Sequence, residues 1–187
     1  VRKLSGYSSG NPPEEVMKRL REMLGIEIHK YIKLDTGNFR DIVDALGGVE
    51  FNVPIKMAYE DPNQNLSINL EKGRQVLDGK QAEMLVRYRK GYPEGDLGRI
   101  EVQKAFLGAM IEQKSDIKIG SAKEIYQLLS NGIETDLGID KAKKLITLFR
   151  TAETVAFVDL PVLLDSDDPF APLLLAPEAK EAVKEKF

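Results

Sequence analysis

The segment from residue 87 to residue 110 constrains the fold most, because its predicted helix carries polar and apolar side chains on one face. At about 100° per residue, a helix over residues 96–111 has six residues in the angular sector that faces the core, namely Asp96, Arg99, Gln103, Phe106, Leu107 and Met110. The opposite side carries residues suited to solvent, namely Glu101, Lys104, Ala105, Gly108 and Glu112. Each buried group without a hydrogen bond costs roughly 1–3 kcal/mol, and a bound ligand could supply the missing partners.

Two arginines stand shortly before this helix. Arg87 and Arg89 are two residues apart, so both side chains would project from one face of an extended segment. Each guanidinium can make a bidentate contact to phosphate oxygens, and the helix start near Asp96 adds free amide groups and a positive dipole end. We therefore predict a pyrophosphate site formed by Arg87, Arg89 and Arg99. Asp96 would orient Arg99 or Arg87 by a salt bridge, or manage a proton or metal.

A simpler interpretation of the same charges stays open. In it Asp96 is the N-cap of the helix, Arg99 is its partner in a surface ion pair, and the two earlier arginines are solvated. Gln103 separates the two interpretations. It either faces a ligand headgroup at the mouth of an apolar channel or satisfies a buried main-chain group.

Composition excludes several classes of site. The chain has 187 residues, 42% of them hydrophobic and 30% charged, which favours one domain over residues 1–187 with a sizeable core. A net charge of −3 argues against a nucleic-acid partner, because such a partner requires a basic surface. The absence of cysteine and the single histidine exclude disulfides, thiolate chemistry and multi-histidine metal sites. Acidic pairs such as Glu60-Asp61 are typical of solvated loops, so we predict no metal site formed by this chain.

Periodicity predicts mixed helices and strands. One helix is predicted to begin at Pro12-Pro13 and to end at Gly25. Further helices are predicted over residues 39–46, 80–86, 96–113, 122–129, 141–149 and 178–186. The predicted strands cover residues 26–34, 49–53, 66–70 and 154–160. The first two strands flank one helix, which indicates a βαβ unit and a sheet with helices packed on it. Residues 57–64 are polar and rich in turn formers, and the proline-containing tail is expected to wrap around the domain.

Three long runs of the sequence resemble, in order and spacing, the LytR-CpsA-Psr proteins of bacterial envelopes. The runs are LDTGNFRDIVDALGGVEFNVP, LEKGRQVLDGKQAEMLVRYRK and GDLGRIEVQKAFLGAM. Arg87 and Arg89 are similar to the paired arginines that contact the pyrophosphate in that family. Asp96, Arg99 and Gln103 match its D-x-G-R-x-x-x-Q segment, with Asp96 and Arg99 as catalytic residues and Gln103 in substrate binding.

The resemblance implies a three-layer αβα domain with a central mixed sheet. It implies a phosphotransferase that moves a glycopolymer from a polyprenyl pyrophosphate onto peptidoglycan or another envelope acceptor. The implied location is the outer face of the cell membrane, with a single N-terminal helix as anchor. The implied cofactor is Mg²⁺.

This chain departs from the family pattern in two respects. Val102 and Lys104 stand where the family often has arginine and glutamine, which alters the rim of the pocket. The family's early strands, which carry metal-binding aspartates and a further arginine, have no counterpart, and we expect them to precede Val1. Two other functions therefore stay open at the sequence level. One is a polyprenyl-phosphate-binding or scaffold module without catalysis, and the other is a transcriptional regulator, which the acidic balance disfavours.

Overall fold

The computed structural model describes most of the chain up to residue 113 and several shorter segments after it. The described residues are 10–64, 66–113, 133–138, 140–141, 144, 147–148, 151, 157, 159–163 and 174–185. They fall into two compact units. The first unit contains the described residues within 10–33, 135–137 and 157–185. The second unit contains those within 34–134 and 138–151. That residues 1–187 form a single domain stays a prediction.

Helices and strands both contribute, which confirms the predicted α/β class. The helices are α1 Pro13–Leu24, α2 Thr36–Ala45, α3 Gly79–Arg87, α4 Asp96–Glu112 and α5 Ala179–Lys184. The strands are β1 Ile32–Lys33, β2 Val49–Val53, β3 Met57–Asp61, β4 Leu66–Leu70, β5 Gly73–Leu77, β6 Glu134–Thr135, β7 Val162–Leu163 and β8 Leu174–Leu175. The described residues between 140 and 151 are also helical, in agreement with the helix predicted over 141–149.

In the first unit, α1 has the predicted boundaries. Pro13 is its first residue, where a missing N–H costs nothing, and Gly25 ends it with a left-handed φ of 70°. The Gly25 N–H donates to the Arg21 carbonyl at 2.8 Å. The terminal helix α5 is confirmed too, and it buries Ala179 and Val183. Before it, β7 and β8 pair antiparallel with Val162 opposite Leu175, a pairing that the proline-rich tail did not indicate.

The strand predicted over residues 26–34 is wrong in most of its length. Only Ile32 and Lys33 form a strand, and Ile32 and Leu34 are 45% and 46% exposed. The Tyr31 N–H donates to the Asp136 carboxylate at 3.0 Å, and the Thr135 hydroxyl donates to the Tyr31 carbonyl. Alternating apolar residues predict a strand only where a neighbouring strand takes up the main-chain groups, and here side chains bind those of Tyr31 instead.

In the second unit the strands form two antiparallel pairs. β2 pairs with β5, with Val49 opposite Leu77, and β3 pairs with β4, with Met57 opposite Leu70. The predicted βαβ unit is therefore wrong, because the neighbour of β2 is β5 and not β1. Strands β3 and β5 were not predicted, since MAYED and GRQVL contain polar residues that face solvent on a half-exposed strand.

The helices of this unit pack over a core shared with the strands. The core includes Val43, Val49, Val53, Met57, Ile68, Leu70, Leu77, Leu85 and Phe106. The packing of α2 against α3 is close at Gly79, where a Cβ atom would lie 2.3 Å from the Arg40 carbonyl oxygen. The Gly79 N–H donates to the Asp44 carboxylate at 2.7 Å. Glycine at position 79 therefore fixes how the two helices meet.

Two details of the predicted helices need correction. α3 continues to Arg87, whereas the sequence predicted an extended segment from about Val86. On α4, Phe106 and Met110 are buried as predicted, but Leu107 is 43% exposed and does not share the core face. The predicted helix over 122–129 lies outside the described residues. Of the predicted strand over 154–160, only residues 157, 159 and 160 are described, and none of them is in a strand.

Candidate anion-binding site

The connection between α3 and α4 brings the predicted site residues into one region of the second unit. α3 ends at Arg87, and Tyr88 leaves it in an extended conformation. Two glycines with positive φ, Gly91 at 79° and Gly95 at 57°, let the chain turn back into α4. We call Arg87, Arg89 and Arg99 the arginine cluster.

Arg87 is held by a buried glutamate one helical turn earlier. Its Nη1 lies 2.8 Å from Oε1 of Glu83, which is only 8% exposed. The other carboxylate oxygen of Glu83 lies 3.3 Å from Nη1 of Arg40 on α2. The prediction that Arg87 and Arg89 project side by side from an extended segment is therefore wrong. Arg87 is still helical, and it pairs with Glu83 because residues four apart on a helix are neighbours.

Asp96 joins the other two arginines of the cluster. Its Oδ2 lies 3.0 Å from Nη2 of Arg99, and its Oδ1 lies 3.5 Å from Nε of Arg89. The predicted salt bridge between Asp96 and Arg99 is confirmed. Asp96 is not the N-cap, because that position belongs to Gly95 and Asp96 is the first helical residue. The two arginines differ in exposure, with side chains 64% exposed in Arg89 and 20% exposed in Arg99.

The environment of Arg99 is electrostatically costly. Burial lowers the pKa of its guanidinium, the nearby Arg89 lowers it further, and the attraction of Asp96 opposes both effects. Its Nε is buried and has no hydrogen-bond partner within the described part of the chain. A half-buried cation whose Nε is buried without a partner among the described residues is suited to an anion, because the anion would supply both charge and acceptor.

Tyr92 lies beside Arg99 and was not predicted as a site residue. It is 8% exposed, and its hydroxyl is buried with no partner among the residues that the structure describes. Burial raises its pKa to about 12, Tyr88 adds to the rise, and the charge of Arg99 opposes it. The rings of Tyr88 and Tyr92 meet edge to face at 5.7 Å between centroids. A Cβ atom on Gly98 would lie 2.8 Å from Cβ of Tyr92, so the tyrosine packs directly on the first turn of α4.

Gln103 satisfies a main-chain group of the structure. Its Nε2 donates to the Val86 carbonyl at 2.8 Å. That carbonyl is one of the last four of α3, which have no partner within their own helix. The second of the two alternatives for Gln103 is thus the one observed. The contact also ties α4 to the end of α3, and so positions Arg87 relative to Asp96 and Arg99.

Below the cluster, the apolar face of α4 closes the core. The Phe106 ring meets the rings of Phe39 and Phe51 edge to face, with centroids 6.2 and 5.4 Å apart. Phe106 therefore packs against aromatic neighbours rather than lining an apolar channel. Met110, towards the other end of α4, lines a cavity of about 410 Å³ together with residues of 44–50, Val76 and Gln113.

Three residues of the site escaped the sequence analysis. The ion pair of Glu83 with Arg87 could have been predicted, because a glutamate four residues before an arginine on a predicted helix indicates such a pair. The role of Arg40 could not have been predicted, since it reaches Glu83 only through the packing of α2 on α3. The role of Tyr92 could not have been predicted either, because the sequence does not show that the hydroxyl of a loop tyrosine will lack a partner among the described residues.

The described residues form no metal centre. No group of three histidine, cysteine, aspartate or glutamate side chains in these ranges could hold an ion. Glu60 and Asp61 make local hydrogen bonds, with the Ser67 hydroxyl at 2.6 Å and with the Asn63 N–H at 3.0 Å. Among the described helices, none has the length and apolarity that a membrane span requires.

Comparison with known proteins gives a consistent result. The profile of the LytR_cpsA_psr family matches residues 3–181. A relative from Oceanobacillus iheyensis, named polyisoprenyl-teichoic acid–peptidoglycan teichoic acid transferase TagU, is 35% identical over 141 residues, which are 75% of this chain and 42% of the relative. The crystal structure of Bacillus subtilis TagV superposes with a TM-score of 0.65 at 25% identity and covers 95% of this chain and 68% of its own. The crystal structure of protein gbs0355 from Streptococcus agalactiae superposes with a TM-score of 0.76 at 22% identity. The match covers 99% of this chain and 64% of gbs0355.

Proposed function

The chain belongs to the LytR-CpsA-Psr family, and we propose that it contributes the pyrophosphate-binding part of an envelope glycopolymer phosphotransferase. The observation that carries this proposal is the arginine cluster between the end of α3 and the start of α4, in which Arg99 is half-buried and its Nε has no partner among the described residues. The chain spans only about two fifths of the TagU relative's length, so the activity is proposed for the protein that contains this chain.

The charge balance of the region supports an anionic ligand. Four guanidinium groups, of Arg40, Arg87, Arg89 and Arg99, face the two carboxylates of Glu83 and Asp96. A third carboxylate, that of Glu94, lies at the first turn of α4, with Oε2 3.3 Å from where a Cβ of Gly98 would be. The four cations and three anions leave a formal charge of +1. In a protein of net charge −3 this positive region is local. A pyrophosphate group offers the oxygens and the charge that planar guanidinium groups bind best.

The proposed donor is a glycopolymer linked to a polyprenyl pyrophosphate. The proposed acceptor is peptidoglycan or another envelope glycan. The name of the TagU relative supports this choice, because it specifies polyisoprenyl-teichoic acid and peptidoglycan. An extracytoplasmic location, attachment to the membrane through an N-terminal helix and binding of the polyprenyl lipid belong to the same proposal.

In the proposed reaction, a hydroxyl oxygen of the acceptor attacks the phosphorus that carries the glycan. The bond from this phosphorus to the bridging oxygen breaks, polyprenyl phosphate leaves, and a phosphodiester joins glycan and acceptor. The hydroxyl proton passes to the departing polyprenyl phosphate, which takes up charge as the bridging bond breaks. Catalysis of such a transfer rests on positioning and on stabilising charge at the phosphoryl oxygens, which is the role we assign to Arg87, Arg89 and Arg99.

Asp96 and Arg99 are proposed to act together nearest the reacting phosphate. Both carboxylate oxygens of Asp96 are already engaged with arginines. We therefore assign Asp96 to orienting Arg99. Gln103, which the family pattern places in substrate binding, is assigned to holding α4 against α3 through its contact with Val86.

Mg²⁺ is included in the proposal as the family's cofactor. It would neutralise charge on the pyrophosphate. The described residues do not fit a magnesium site, since no three ligating side chains come together in them. We assign none of them to the metal.

The test is transfer of a radiolabelled glycan from a polyprenyl-pyrophosphate donor to purified peptidoglycan, by a protein that contains this chain. Wild type should produce labelled peptidoglycan, and Arg99→Ala should lower the rate at least tenfold, since an interaction with a charged group is worth about 1.5–3 kcal/mol. Binding of the donor without transfer would instead support the binding or scaffold module. A transcriptional regulator is not proposed, because the protein is acidic overall.

A further inference from the structure

We propose that the Tyr92 hydroxyl is a ligand-binding donor, which holds one oxygen of the bound pyrophosphate together with Nε of Arg99. This inference rests on the proposed function, because it assigns a further residue to the same anion site. Tyr92 stands outside the D-x-G-R-x-x-x-Q pattern that marks the site in the sequence.

The first support is that two donors are left unused in one place. Among buried side-chain atoms of the described residues, only the Tyr92 hydroxyl and Nε of Arg99 lack a hydrogen-bond partner. Native proteins satisfy the large majority of such groups, so each exception calls for a physical reason. Here both exceptions belong to neighbouring residues whose charges influence each other's pKa.

The second support is the way in which Tyr92 is fixed. Its Cβ and ring carbon Cγ lie 2.8 and 3.1 Å from where a Cβ of Gly98 would be, so the side chain is seated on the first turn of α4. The Tyr92 carbonyl accepts the Gly95 N–H at 3.0 Å, and the Tyr88 ring packs against the Tyr92 ring. Main chain and ring are therefore both held, while the hydroxyl has no hydrogen-bond partner in the part of the chain that the structure describes.

The chemistry of the two donors specifies what they bind. A phenol is protonated at neutral pH, and burial moves the pKa of Tyr92 further from neutrality, so its hydroxyl donates one hydrogen bond. Arg99 donates through Nε and carries a positive charge, and the one carboxylate bound to it, Asp96, is shared with Arg89. An acceptor with a negative charge suits both donors, and a phosphate-type oxygen has that character.

Both atoms are shielded from solvent, so the oxygen has to be enclosed as it binds. Arg89 is the most exposed arginine of the cluster. Its side chain is 64% exposed, and its 3.5 Å contact with Asp96 is longer than the 3.0 Å contact of Arg99. Movement of Arg89 onto the ligand would bring the anion inward, and the low dielectric there would strengthen each hydrogen bond.

The experiment compares Tyr92→Phe with wild type by calorimetric titration of inorganic pyrophosphate, and records melting temperatures of both. Removing the hydroxyl should weaken pyrophosphate binding by about fivefold or more and leave the melting temperature unchanged or higher. The matched control is Tyr59→Phe, which removes a half-buried hydroxyl that already donates to Asp61 at 3.4 Å. The control should bind pyrophosphate as wild type does.

The outcomes separate this inference from the proposed function. If Arg89→Ala weakens pyrophosphate binding while Tyr92→Phe binds as wild type does, the anion site stands and the role of Tyr92 is overturned. A lower melting temperature for Tyr92→Phe would also overturn that role, because the hydroxyl would then be used by the fold. If wild type does not bind pyrophosphate, the proposed function and this inference both fail.

Discussion

The side-chain amide of Gln103 donates to the main-chain carbonyl of Val86 at 2.8 Å, and so links the middle of α4 to the last turn of α3. Two residues of the arginine cluster belong to these helices, since Arg87 is the last residue of α3 and Arg99 lies in the first turn of α4. The amide therefore sets the spacing of the cluster without contacting any of its charges.

Replacing Gln103 by leucine should destabilise the protein. Leucine fits a half-buried helix position but leaves the Val86 carbonyl without its partner, at a cost of about 1–3 kcal/mol in the free energy of unfolding. Urea denaturation measures this cost. The matched control is Gln75→Leu, whose amide also donates to a main-chain carbonyl, that of Glu71 at 2.6 Å, but in an exposed position where water replaces it. The control should change stability by about 0.5 kcal/mol or less. Equal effects of the two substitutions would contradict the role of Gln103.

We expect the carboxylate of Glu83 to stabilise the folded protein through its contacts with Arg87 and Arg40. Glu83→Ala removes a buried carboxylate and leaves Arg87 and Arg40 without it, so we expect a loss of about 1–3 kcal/mol in the free energy of unfolding. The comparison is Glu71→Ala, which removes the carboxylate from an exposed pair with Lys56 at 2.7 Å. That pair should contribute about 0.5 kcal/mol or less. A loss from Glu83→Ala no larger than that from Glu71→Ala would show that the three-residue contact is not stabilising.

Stability at alkaline pH should depend on Tyr92. Its pKa of about 12 in the folded protein lies above the ordinary value of 10.0, so the folded state retains this proton to a higher pH than the unfolded state does. The resulting stabilisation is complete below pH 10 and is lost as the pH rises towards 12. Between pH 9 and 11.5, wild type should lose about 1–2 kcal/mol more unfolding free energy than Tyr92→Phe, since one pKa unit corresponds to about 1.4 kcal/mol. Parallel losses in the two proteins, measured by urea denaturation, would contradict the burial of the phenol.

The sequence predicts much of the local structure here, and the reasons are local. Proline and glycine mark the ends of α1, and α4 lies where the period of its apolar residues places it. The salt bridge between Asp96 and Arg99 follows from their spacing of three on a helix. Such features depend on neighbours in the chain, which a sequence displays directly.

The features that depend on tertiary contacts could not be predicted in this way. Which strand neighbours β2, and whether Arg40 reaches Glu83, are decided by packing between distant segments. The end of α3 was misplaced for the same reason, because Gln103 satisfies a carbonyl there and allows the helix to continue to Arg87. The Tyr92 hydroxyl lacks a partner among the described residues because of how side chains from several segments pack around it, and sequence periodicity does not report that packing.

Arg89 is the residue best suited to testing the anion site. Its side chain is largely exposed, so its removal should change unfolding free energy by about 0.5 kcal/mol or less. Arg87 and Arg99 are less suitable, because each is partly buried in a contact with a carboxylate. A matched control is Arg74→Ala, which removes an exposed arginine paired with Glu50 on β2.

The most direct test is the affinity of the protein for farnesyl pyrophosphate, measured by calorimetric titration of wild type, Arg89→Ala and Arg74→Ala. We predict that wild type and Arg74→Ala bind equally. Arg89→Ala should bind at least tenfold more weakly, because a hydrogen bond to a charged group is worth about 1.5–3 kcal/mol and tenfold corresponds to about 1.4 kcal/mol. Equal affinity of all three proteins, or no binding by wild type, would contradict the assignment of the arginine cluster to the pyrophosphate.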